Sequence, residues 1–462
     1  MRWRVGALAC TVLCLAAILP AAAAEQTWLV ASDLHVDPFA RSPRPALFGS
    51  DANEALYRSA LAQMKREVPD PAVVLLPGDF LAHDFPALAR EAGSTPEAAT
   101  LATMRAIAAD FARAYPSAQI AIALGNNDSP CGDYSSDNGS AYARALAAIW
   151  KPLVDRNGAA PDFEQTFSSG GYYAARLPLN GLRLVTLDTV IYSQEYRGDC
   201  GAGGAGAQQL AWLQATLRAT PPGVKNVVMM HVPFGYDAVT TEALHGFVAW
   251  PFLRWGAGEL VATLGDPANQ IALGIAGHEH RFDFRLAGDV PYLILGSISP
   301  VYHNNPAFYA LHVDSGGTLR DVDTYVFDEW TQAWEPARSF DQKWAVTQID
   351  ASSLRRIHRR LAADRQARAA WNAQADAWPS NPAIAWSQWT RGSWRTAWCA
   401  QTALGDAFVP CAGLVWRVAL FEALAPLAAL APFLPLVALA GWIASVAHRR
   451  RRAVLANRRA GV

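Results

Sequence analysis

Short apolar runs alternate with helix-like segments along most of the chain. Aliphatic and β-branched stretches predict strands at 27–32, 72–76, 119–124, 182–187, 224–230, 271–276 and 291–295. Apolar residues recur at helical spacing at 52–68, 97–114, 140–150 and 206–219, and several of these segments follow a capping Asp, Ser or Gly. Strands that alternate with helices in this way predict an α/β fold, with two packed sheets flanked by helices.

The pattern changes after Glu329. Residues 353–378 are rich in Ala and Arg at helical spacing, which predicts helices. The segment from there to Cys411 carries Trp378, Trp386, Trp389, Trp394 and Trp398. We therefore expect a helical C-terminal subdomain at 331–412 whose tryptophans pack in the core, with contact to a bilayer surface as the alternative.

The N-terminus has the pattern of an export signal. Residues 1–24 begin with Arg2 and Arg4, continue with an apolar stretch and end on three alanines. This pattern predicts a signal peptide that is removed after Ala24. A membrane anchor that stays on the protein is the alternative.

A second apolar segment lies near the C-terminus. Residues 423–447 carry no charge over 25 positions, which predicts one transmembrane helix, with a buried soluble helix as the alternative. His448 and four successive arginines follow, so the basic tail at 448–462 should be cytoplasmic. Few of the basic residues are lysine, a bias typical of GC-rich bacterial genomes. We therefore expect an inner-membrane protein whose main domain, at 25–330, lies in the periplasm.

The overall charge excludes one class of partner. A formal net charge of −1 and a pI near 6.8 give no positive field that would attract nucleic acid. We therefore expect no nucleic-acid binding. The sequence indicates no protein partner.

Four cysteines lie outside the predicted signal peptide: Cys131, Cys200, Cys399 and Cys411. An even number in an exported chain predicts two disulfides. Proximity in the sequence favours Cys131 with Cys200 and Cys399 with Cys411, which is one of three possible connectivities. Four free, buried thiols are the alternative.

Five short polar motifs, most of them next to predicted strands, contain residues that bind metals. Their seven candidate ligands are Asp33, His35, Asp79, Asn126, His231, His278 and His280. The two residues of a D-x-H or H-x-H pair lie on one side of an extended segment, and a carboxylate such as that of Asp79 can bridge two cations. Two metals about 3.5–4 Å apart are suited to attack on phosphorus, so the set predicts phosphoester hydrolysis. Each motif alone is weak evidence, and their order along the chain makes the pattern specific.

Residues 27–330 resemble the calcineurin-like metallophosphoesterases, because they follow the family pattern D-x-H, G-D, G-N, H, G-H-x-H. The resemblance implies a four-layer α/β sandwich of two mixed sheets flanked by helices. It also implies two ligand sets: Asp33, His35, Asp79 and His280 for one metal, and Asp79, Asn126, His231 and His278 for the other. Zn²⁺ is the metal that the resemblance favours, and Mn²⁺ or Fe would also suit mixed carboxylate and imidazole ligands.

One segment narrows the resemblance to a branch. Residues 78–84 read G-D-F-L-A-H-D and are similar to the G-D-x-x-A-H-D segment of acid sphingomyelinases and sphingomyelinase-like phosphodiesterases, as are 297–300 and 305–306 downstream. The branch implies that a hydroxide bridging the metals attacks phosphorus while His83 protonates the leaving group. A hydrogen-bonded role behind the ligands is the alternative for His83. Ala82 stands where purple acid phosphatases have a metal-binding tyrosine, which argues against that branch.

The chain departs from the family at Asn127, where a histidine usually follows Gly-Asn. Asparagine can donate a hydrogen bond to a phosphoryl oxygen but cannot carry a positive charge. We therefore expect a phosphodiesterase with one of three properties: a modest activity, a heavier dependence on His83, or a preference for an activated leaving group such as a nucleotide phosphate. The alternatives are a phosphomonoesterase or nucleotide hydrolase that uses the same site, and a phosphoryl-binding protein with weakened catalysis.

The sequence defines the substrate only as a class. The phosphoester could belong to a small molecule, a nucleotide or a lipid head group. Tyr302, His303, Asn304 and Asn305 follow a predicted strand end and are candidate substrate contacts, with loop packing as the alternative. The polar loop at 129–140, which contains Cys131, is expected to form a rim beside the metals.

Overall fold

The computed structural model describes residues 25–179, 181–200, 205–254, 257–379 and 394–430. The predicted signal peptide at 1–24 lies outside the described residues, as do the tail at 448–462 and most of the predicted transmembrane helix at 423–447.

The described residues form seventeen strands and fourteen α-helices. The strands are β1 (Gln26–Val30), β2 (Val36–Asp37), β3 (Ala52–Asn53), β4 (Val73–Leu76), β5 (Gln119–Ile122), β6 (Ser135–Ser136), β7 (Tyr173–Arg176), β8 (Leu182–Thr186), β9 (Gly198–Asp199), β10 (Lys225–Met229), β11 (Ile271–Ala276), β12 (Asp283–Ala287), β13 (Val290–Ile294), β14 (Ala307–Val313), β15 (Leu319–Asp328), β16 (Ala333–Trp334) and β17 (Arg338–Ser339). The helices are α1 (Glu54–Glu67), α2 (Phe85–Glu91), α3 (Pro96–Ala114), α4 (Ala141–Val154), α5 (Phe163–Gly170), α6 (Ala205–Arg218), α7 (Ala238–Ala243), α8 (Gly258–Gly265), α9 (Phe340–Trp344), α10 (Ala351–Ala363), α11 (Arg365–Ala375), α12 (Trp394–Ala400), α13 (Phe408–Ala412) and α14 (Val415–Leu430).

The longer strands form two mixed sheets. The first runs in the order β16-β15-β14-β1-β4-β5, with β17 also paired to β15, and the second in the order β12-β13-β11-β10-β8-β7. Strands β1, β4 and β5 are parallel, as are β8, β10, β11 and β13. All seven strands predicted from the sequence are present, and the two mixed sheets with their helices confirm the predicted α/β class.

Side chains of β10 alternate between two cores, because successive residues of a strand face opposite sides of the sheet. Val227 belongs to the buried cluster that contains Leu29 of β1 in the first sheet. Its neighbour Val228 packs with Leu213 of α6 and Leu260 of α8. The second sheet therefore lies between the first sheet and a layer of helices.

The C-terminal region is helical, as predicted, and shares the core of the two sheets. Trp344 and Trp371 lie in the same buried cluster as the strands of the first sheet. Gln401 donates a side-chain hydrogen bond to Asp283 of β12 at 2.7 Å. The subdomain boundary at 331–412 stays a prediction, since the buried cluster runs through it.

The predicted membrane span has one partial counterpart. Among the described residues, no single helix has both the length and the apolar composition of a span. The segments Gly405–Ala412 and Val415–Leu424, bent by 108° at the break between them, meet those criteria only together.

Two disulfides join Cys131 to Cys200 and Cys399 to Cys411. This is the connectivity that proximity in the sequence favours, so the predicted pairing is confirmed. The first bond ties the loop at 129–140 to β9, which pairs with β6 of that loop.

Candidate metal centre

Strand ends bring the predicted ligands together. The parallel strands β1, β4 and β5 end at one edge of the first sheet, and Asp33, Asp79 and Asn126 follow those ends. His231 and His278 follow β10 and β11 of the second sheet in the same way. The two edges meet, since His231 Nε2 lies 3.9 Å from Asp33 Oδ1.

One cluster consists of Asp33, His35 and His280, whose ligand atoms all lie within 4.8 Å of one another. The Nε2 atoms of His35 and His280 are 3.0 Å apart. Asp33 Oδ1 lies 3.4 Å from His280 Nε2. All three side chains are buried.

A second cluster contains Asp79, His231 and His278, again within 4.8 Å of one another. Asn126 joins it through its amide oxygen, which lies 3.1 Å from His231 Nε2 and 2.9 Å from His278 Nδ1. The amide nitrogen of Asn126 donates to Asp133 Oδ1 at 2.7 Å, which fixes the oxygen towards the cluster.

The carboxylate of Asp79 belongs to both clusters. Its Oδ2 lies 3.3 Å from His35 Nε2 and 3.2 Å from His231 Nε2. The structure thus groups the seven residues into the two sets that the family resemblance implies. The residue type at the shared position also suits the role, because a carboxylate has an oxygen for each of two cations.

The hydrogen bonds of the ring nitrogens test whether these residues fit metal ions. His35 Nδ1 donates to the Leu81 carbonyl at 3.0 Å, and His231 Nδ1 donates to the Pro77 carbonyl at 2.9 Å. In the neutral rings the Nε2 atoms therefore carry lone pairs, and these point at Asp79 Oδ2. Only a proton or a cation can hold such acceptors together, so the donor set fits two divalent metals.

Burial sets the protonation of most of the imidazoles. It lowers the pKa of His35 to about 4 and that of His278 to about 3, so both rings are neutral, the form that binds metals. Burial also raises the pKa of Asp33 to about 7. Burial alone would lower the pKa of His231, but Asp79 and Asp33 raise it to about 9. His231 therefore keeps a second ring proton at neutral pH, and a metal in the second cluster would take the place of that proton.

Five of the seven ligands have a left-handed backbone, which is uncommon outside glycine. Their φ angles are 50° for Asp33, 40° for His35, 53° for Asp79, 76° for His278 and 55° for His280. This backbone turns the side chains sharply away from the strands that precede them. The tertiary structure therefore maintains a local conformation that these residues do not favour.

Glycines in the motifs make room for the ligands. A Cβ atom at Gly125 would overlap Asp79 Oδ1, and a Cβ at Gly277 would overlap Ser32 Oγ and lie 2.6 Å from Asp33 Oδ2. The glycine of G-N and the glycine of G-H-x-H are thus required by the close approach of a carboxylate.

Asp128 is a further residue of the site that is not among the predicted ligands. Its carboxylate accepts hydrogen bonds from the backbone N–H groups of Gly125 at 2.8 Å, Asp79 at 3.0 Å and Phe80 at 2.8 Å. It therefore joins the turns that carry two of the ligands. Its signal in the sequence is the acidic residue that follows Gly-Asn-x.

Asn127 contacts the shared ligand. Its backbone N–H donates to Asp79 Oδ1 at 2.8 Å and its side-chain amide donates to Asp79 Oδ2 at 3.0 Å. The side chain is buried. The contact observed here orients Asp79, whereas the sequence predicts a contact with a phosphoryl oxygen.

His83 lies beside the first cluster. Its ring is parallel to that of His35, with centroids 4.3 Å apart and planes 9° apart. Nδ1 lies 2.9 Å from Asp51 Oδ1 and Nε2 lies 3.2 Å from Tyr302 Oη. Burial alone would lower the pKa of His83, but the hydrogen bond to Asp51 raises it above its usual value. No sequence motif points to Asp51.

The metal ligands open onto a cavity of about 510 Å³. Its walls include His83, Tyr134, Phe252 and Tyr302 as well as the ligands Asp79, Asn126, His278 and His280. Tyr134 belongs to the loop at 129–140 that the Cys131–Cys200 disulfide holds, and its Oη lies 3.3 Å from His278 Nε2. The loop therefore lies beside the ligands, in the place where the sequence predicts a rim.

The candidate substrate contacts separate into two groups. Tyr302 and His303 are exposed and line the cavity. Asn304 is buried and donates to Ser297 Oγ and the Ser299 carbonyl, and Asn305 is buried and donates to the Ala377 carbonyl. The prediction of substrate contact is therefore wrong for Asn304 and Asn305, whose amides hold the loop instead.

Curated phosphodiesterases are similar to this chain over much of its length. Sphingomyelinase phosphodiesterase D of Dictyostelium discoideum is 24% identical over 316 residues, which cover 64% of this chain and 67% of the relative. Cyclic GMP-AMP phosphodiesterase SMPDL3A of Rattus norvegicus is 25% identical over 384 residues, which cover 74% of this chain and 82% of the relative. The chain matches no family model.

Solved structures align with the chain at low scores. A purple acid phosphatase from yellow lupin (Lupinus luteus) seeds aligns with a TM-score of 0.40 and 12% identity over 69% of this chain and 54% of that structure. A putative 5′-nucleotidase of Staphylococcus aureus aligns with a TM-score of 0.37 and 14% identity over 68% of this chain and 54% of that structure. The chain spans about half the length of each, and scores this low carry no functional argument.

The order of the ligand motifs, the two clusters that they form and the similarity to curated phosphodiesterases agree. These findings support a calcineurin-like metallophosphoesterase of the sphingomyelinase-like branch, that is, a metal-dependent phosphoester hydrolase.

Proposed function

We propose that the protein is an exported phosphodiesterase that uses two divalent metals and is tethered to the bacterial inner membrane. One observation carries the catalytic part of the proposal: Asp79 joins two ligand clusters at the wall of a cavity that His83 also lines. The ligands and a proton donor therefore face the same open space. Its volume is in the range of small-molecule sites.

The seven ligands would hold one metal in each cluster. When bound, two such cations polarise phosphoryl oxygens and lower the pKa of water, which suits phosphoester hydrolysis. Four of the seven ligands are imidazoles, a set that suits Zn²⁺, and the carboxylates and the amide of Asn126 also suit Mn²⁺ or Fe.

His83 is the proton donor in this proposal. Asp51 accepts from Nδ1, so the other ring nitrogen, Nε2, is directed towards the cavity and Tyr302. When protonated, the ring can donate from Nε2 to the departing alkoxide. A donor in such a position contributes about 10²–10⁴-fold to the rate.

A phosphodiester is the proposed substrate class. The relatives are a sphingomyelinase phosphodiesterase and a cyclic GMP-AMP phosphodiesterase, so a lipid head group and a nucleotide are both candidates for this chain. A second function, phosphoryl binding with slow turnover, is favoured by Asn127. Its amide contacts Asp79, and it supplies no positive charge to the phosphoryl group.

Metal analysis and a substrate panel test the proposal. The full chain, purified in detergent, is analysed for metal and offered bis(p-nitrophenyl) phosphate, p-nitrophenyl phosphate, ATP and sphingomyelin. Asp79→Ala should abolish both metal binding and turnover, whereas Asp289→Ala, at a carboxylate that is 85% exposed, should change neither. Two bound metals without turnover of any ester would favour the binding protein, and faster turnover of the monoester would favour the phosphomonoesterase.

The proposed location rests on the apolar segments at 1–24 and 423–447 and is supported by the two disulfides, which form in oxidising compartments. N-terminal sequencing of the mature protein should begin at Glu25. Protease added to spheroplasts should digest the domain at 25–330 and leave an epitope tag placed after Val462 intact. A protected domain or a digested tag would contradict this location.

A further inference from the structure

Asp51 lies just before β3, outside every ligand motif, and forms two hydrogen bonds with His83. Its Oδ1 lies 2.9 Å from His83 Nδ1, and its Oδ2 accepts from the His83 backbone N–H at 2.7 Å. Ser299 Oγ donates to the same Oδ1 at 3.1 Å. These three donors use both oxygens of the carboxylate, so its rotation about the Cβ–Cγ bond would break at least one hydrogen bond.

The His83 ring is held on its face as well as on its edge. It stacks on His35, and the ring of Tyr302 meets it nearly at a right angle, at 88°. Since Nδ1 faces Asp51, Nε2 is the nitrogen that remains for the cavity, where Tyr302 Oη lies 3.2 Å away. The direction in which Nε2 points therefore depends on Asp51.

We infer that Asp51 is a positioning residue that directs His83 Nε2 at the leaving oxygen of the substrate. The inference rests on the proposed function, because it assigns Asp51 to the step in which His83 donates a proton. In that step the oxygen of water forms a bond to phosphorus and the ester P–O bond breaks. The leaving oxygen takes the proton from Nε2, and the proton that water loses restores the charge on His83. Asn127 cannot replace His83, since an amide does not transfer a proton at neutral pH.

Two substitutions separate this role from simple structural support. Asp51→Asn keeps the shape of the side chain, but in the wild type both carboxylate oxygens accept hydrogen bonds from His83. In the variant an NH₂ group replaces one of these oxygens and therefore faces an N–H donor of His83. Asp37→Asn is the matched control. Asp37 precedes α1 in the same segment of the chain, and its carboxylate accepts from the backbone N–H groups of Phe39 and Ala40 within its own turn.

Kinetics with two leaving groups measure the role. The substrates are the p-nitrophenyl and ethyl esters of one nucleoside 5′-phosphate, given to the full-length, metal-loaded protein. p-Nitrophenolate leaves without a proton and ethoxide needs one. We expect Asp51→Asn to lower kcat about 100-fold for the ethyl ester and less than about threefold for the nitrophenyl ester, with KM little changed. Equal losses with both esters would overturn the inference. Asp37→Asn should resemble the wild type.

His303 is the competing donor, because its imidazole also lines the cavity. If His303 donated the proton, His303→Ala would show the stronger loss with the ethyl ester and Asp51→Asn would not. We expect His303→Ala to change kcat for the two esters by the same factor. The opposite result would reassign the donor and overturn the inference.

Histidine NMR reports on Asp51 without turnover. In protein labelled with ¹⁵N-histidine and loaded with Zn²⁺, the Nδ1–H group of His83 should give a resonance that exchanges slowly, assigned by its loss in His83→Gln. Asp51→Asn should remove this resonance and Asp37→Asn should keep it, and a resonance that survives in Asp51→Asn would overturn the inference. If the wild type shows the resonance but hydrolyses neither ester, the proposed function fails and only the contact between Asp51 and His83 remains.

Discussion

The Nε2 atoms of His35 and His280 face each other at 3.0 Å, and both rings are buried. Because His35 Nδ1 donates to the Leu81 carbonyl, its Nε2 lone pair points at the other ring. At this distance either a proton on His280 Nε2 or a metal ion between the rings satisfies both nitrogens, and in the metal-loaded protein the ion takes that place. The polypeptide and its metals should therefore depend on each other for stability.

Removing the metals should destabilise the fold. Chelation should lower the free energy of unfolding by about 2–3 kcal/mol, the linkage expected for a ligand at roughly 100 times its Kd. Calorimetry of metal-loaded and chelated protein measures the difference. It should shrink in His280→Ala and persist in His312→Ala, where the lost ring pairs with Asp323 away from the clusters. An unchanged Tm after chelation would contradict this prediction.

Replacing Asn127 by histidine should raise kcat for a phosphodiester by about tenfold, because a protonated imidazole adds the positive charge that an amide cannot carry. Steady-state kinetics on one diester measure the change. Asn127→Ala is the control: it removes the donor to Asp79 Oδ2 and should lower kcat by about five- to tenfold. A histidine variant no faster than the alanine variant would show that position 127 acts only through Asp79.

Glu329 should make the fold less stable as pH rises. Glu329 is 5% exposed. Its Oε2 accepts from the Phe48 N–H, and its Oε1 has no hydrogen-bond partner among the described residues. Burial raises its pKa from 4.5 to about 8, so between these values the folded state keeps a proton that the unfolded state has lost. The free energy of unfolding should therefore fall across that pH range.

Urea unfolding at pH 5 and pH 8 tests this prediction. Glu329→Gln keeps a neutral side chain at every pH, so it should match the wild type at pH 5 and exceed its stability at pH 8 by at least about 1 kcal/mol. Glu164→Gln, at an exposed ion pair with Lys151, should show no such dependence. The assignment would be refuted if the difference in unfolding free energy between Glu329→Gln and the wild type did not grow from pH 5 to pH 8.

Removing the Cys131–Cys200 disulfide should weaken substrate binding. The bond holds the loop that carries Tyr134 beside His278, so the double Cys→Ser variant should show a KM several-fold higher and lose about 2–4 kcal/mol of stability. The pair Cys399 and Cys411 closes a shorter loop, with a sequence separation of 12 against 69, and its removal should cost less stability and leave KM unchanged. Equal effects of the two double variants on KM would count against this role.

The central strands could be predicted from the sequence, and the strands at one side of the first sheet could not. Strand β4 is buried on both faces and therefore has a continuous apolar run, Val-Val-Leu-Leu. Strand β15 carries Arg320, Asp321 and Asp323, which are partly exposed and form ion pairs and hydrogen bonds. These charges interrupt the apolar pattern, so only the tertiary structure shows the strand.

The ligands could be predicted because they follow strand ends in short motifs. Asp51 had no such signal, since its contact with His83 joins residues 32 positions apart. Asn304 and Asn305 show the opposite error. Their position after a strand end suggested the cavity, but the direction in which the loop turns sends both amides to buried loop atoms.

The left-handed backbone of five ligands has a consequence for mutational scans. A non-glycine residue in this conformation costs about 1–2 kcal/mol, so replacing one of these ligands with glycine should relieve that cost. In a library scored for both abundance and activity, glycine at Asp33, His35 or His280 should give metal-free protein that is inactive yet at least as abundant as the wild type under chelating conditions. Substitutions in the apolar core should lose both properties together, so this combination would mark the ligand positions without a structure.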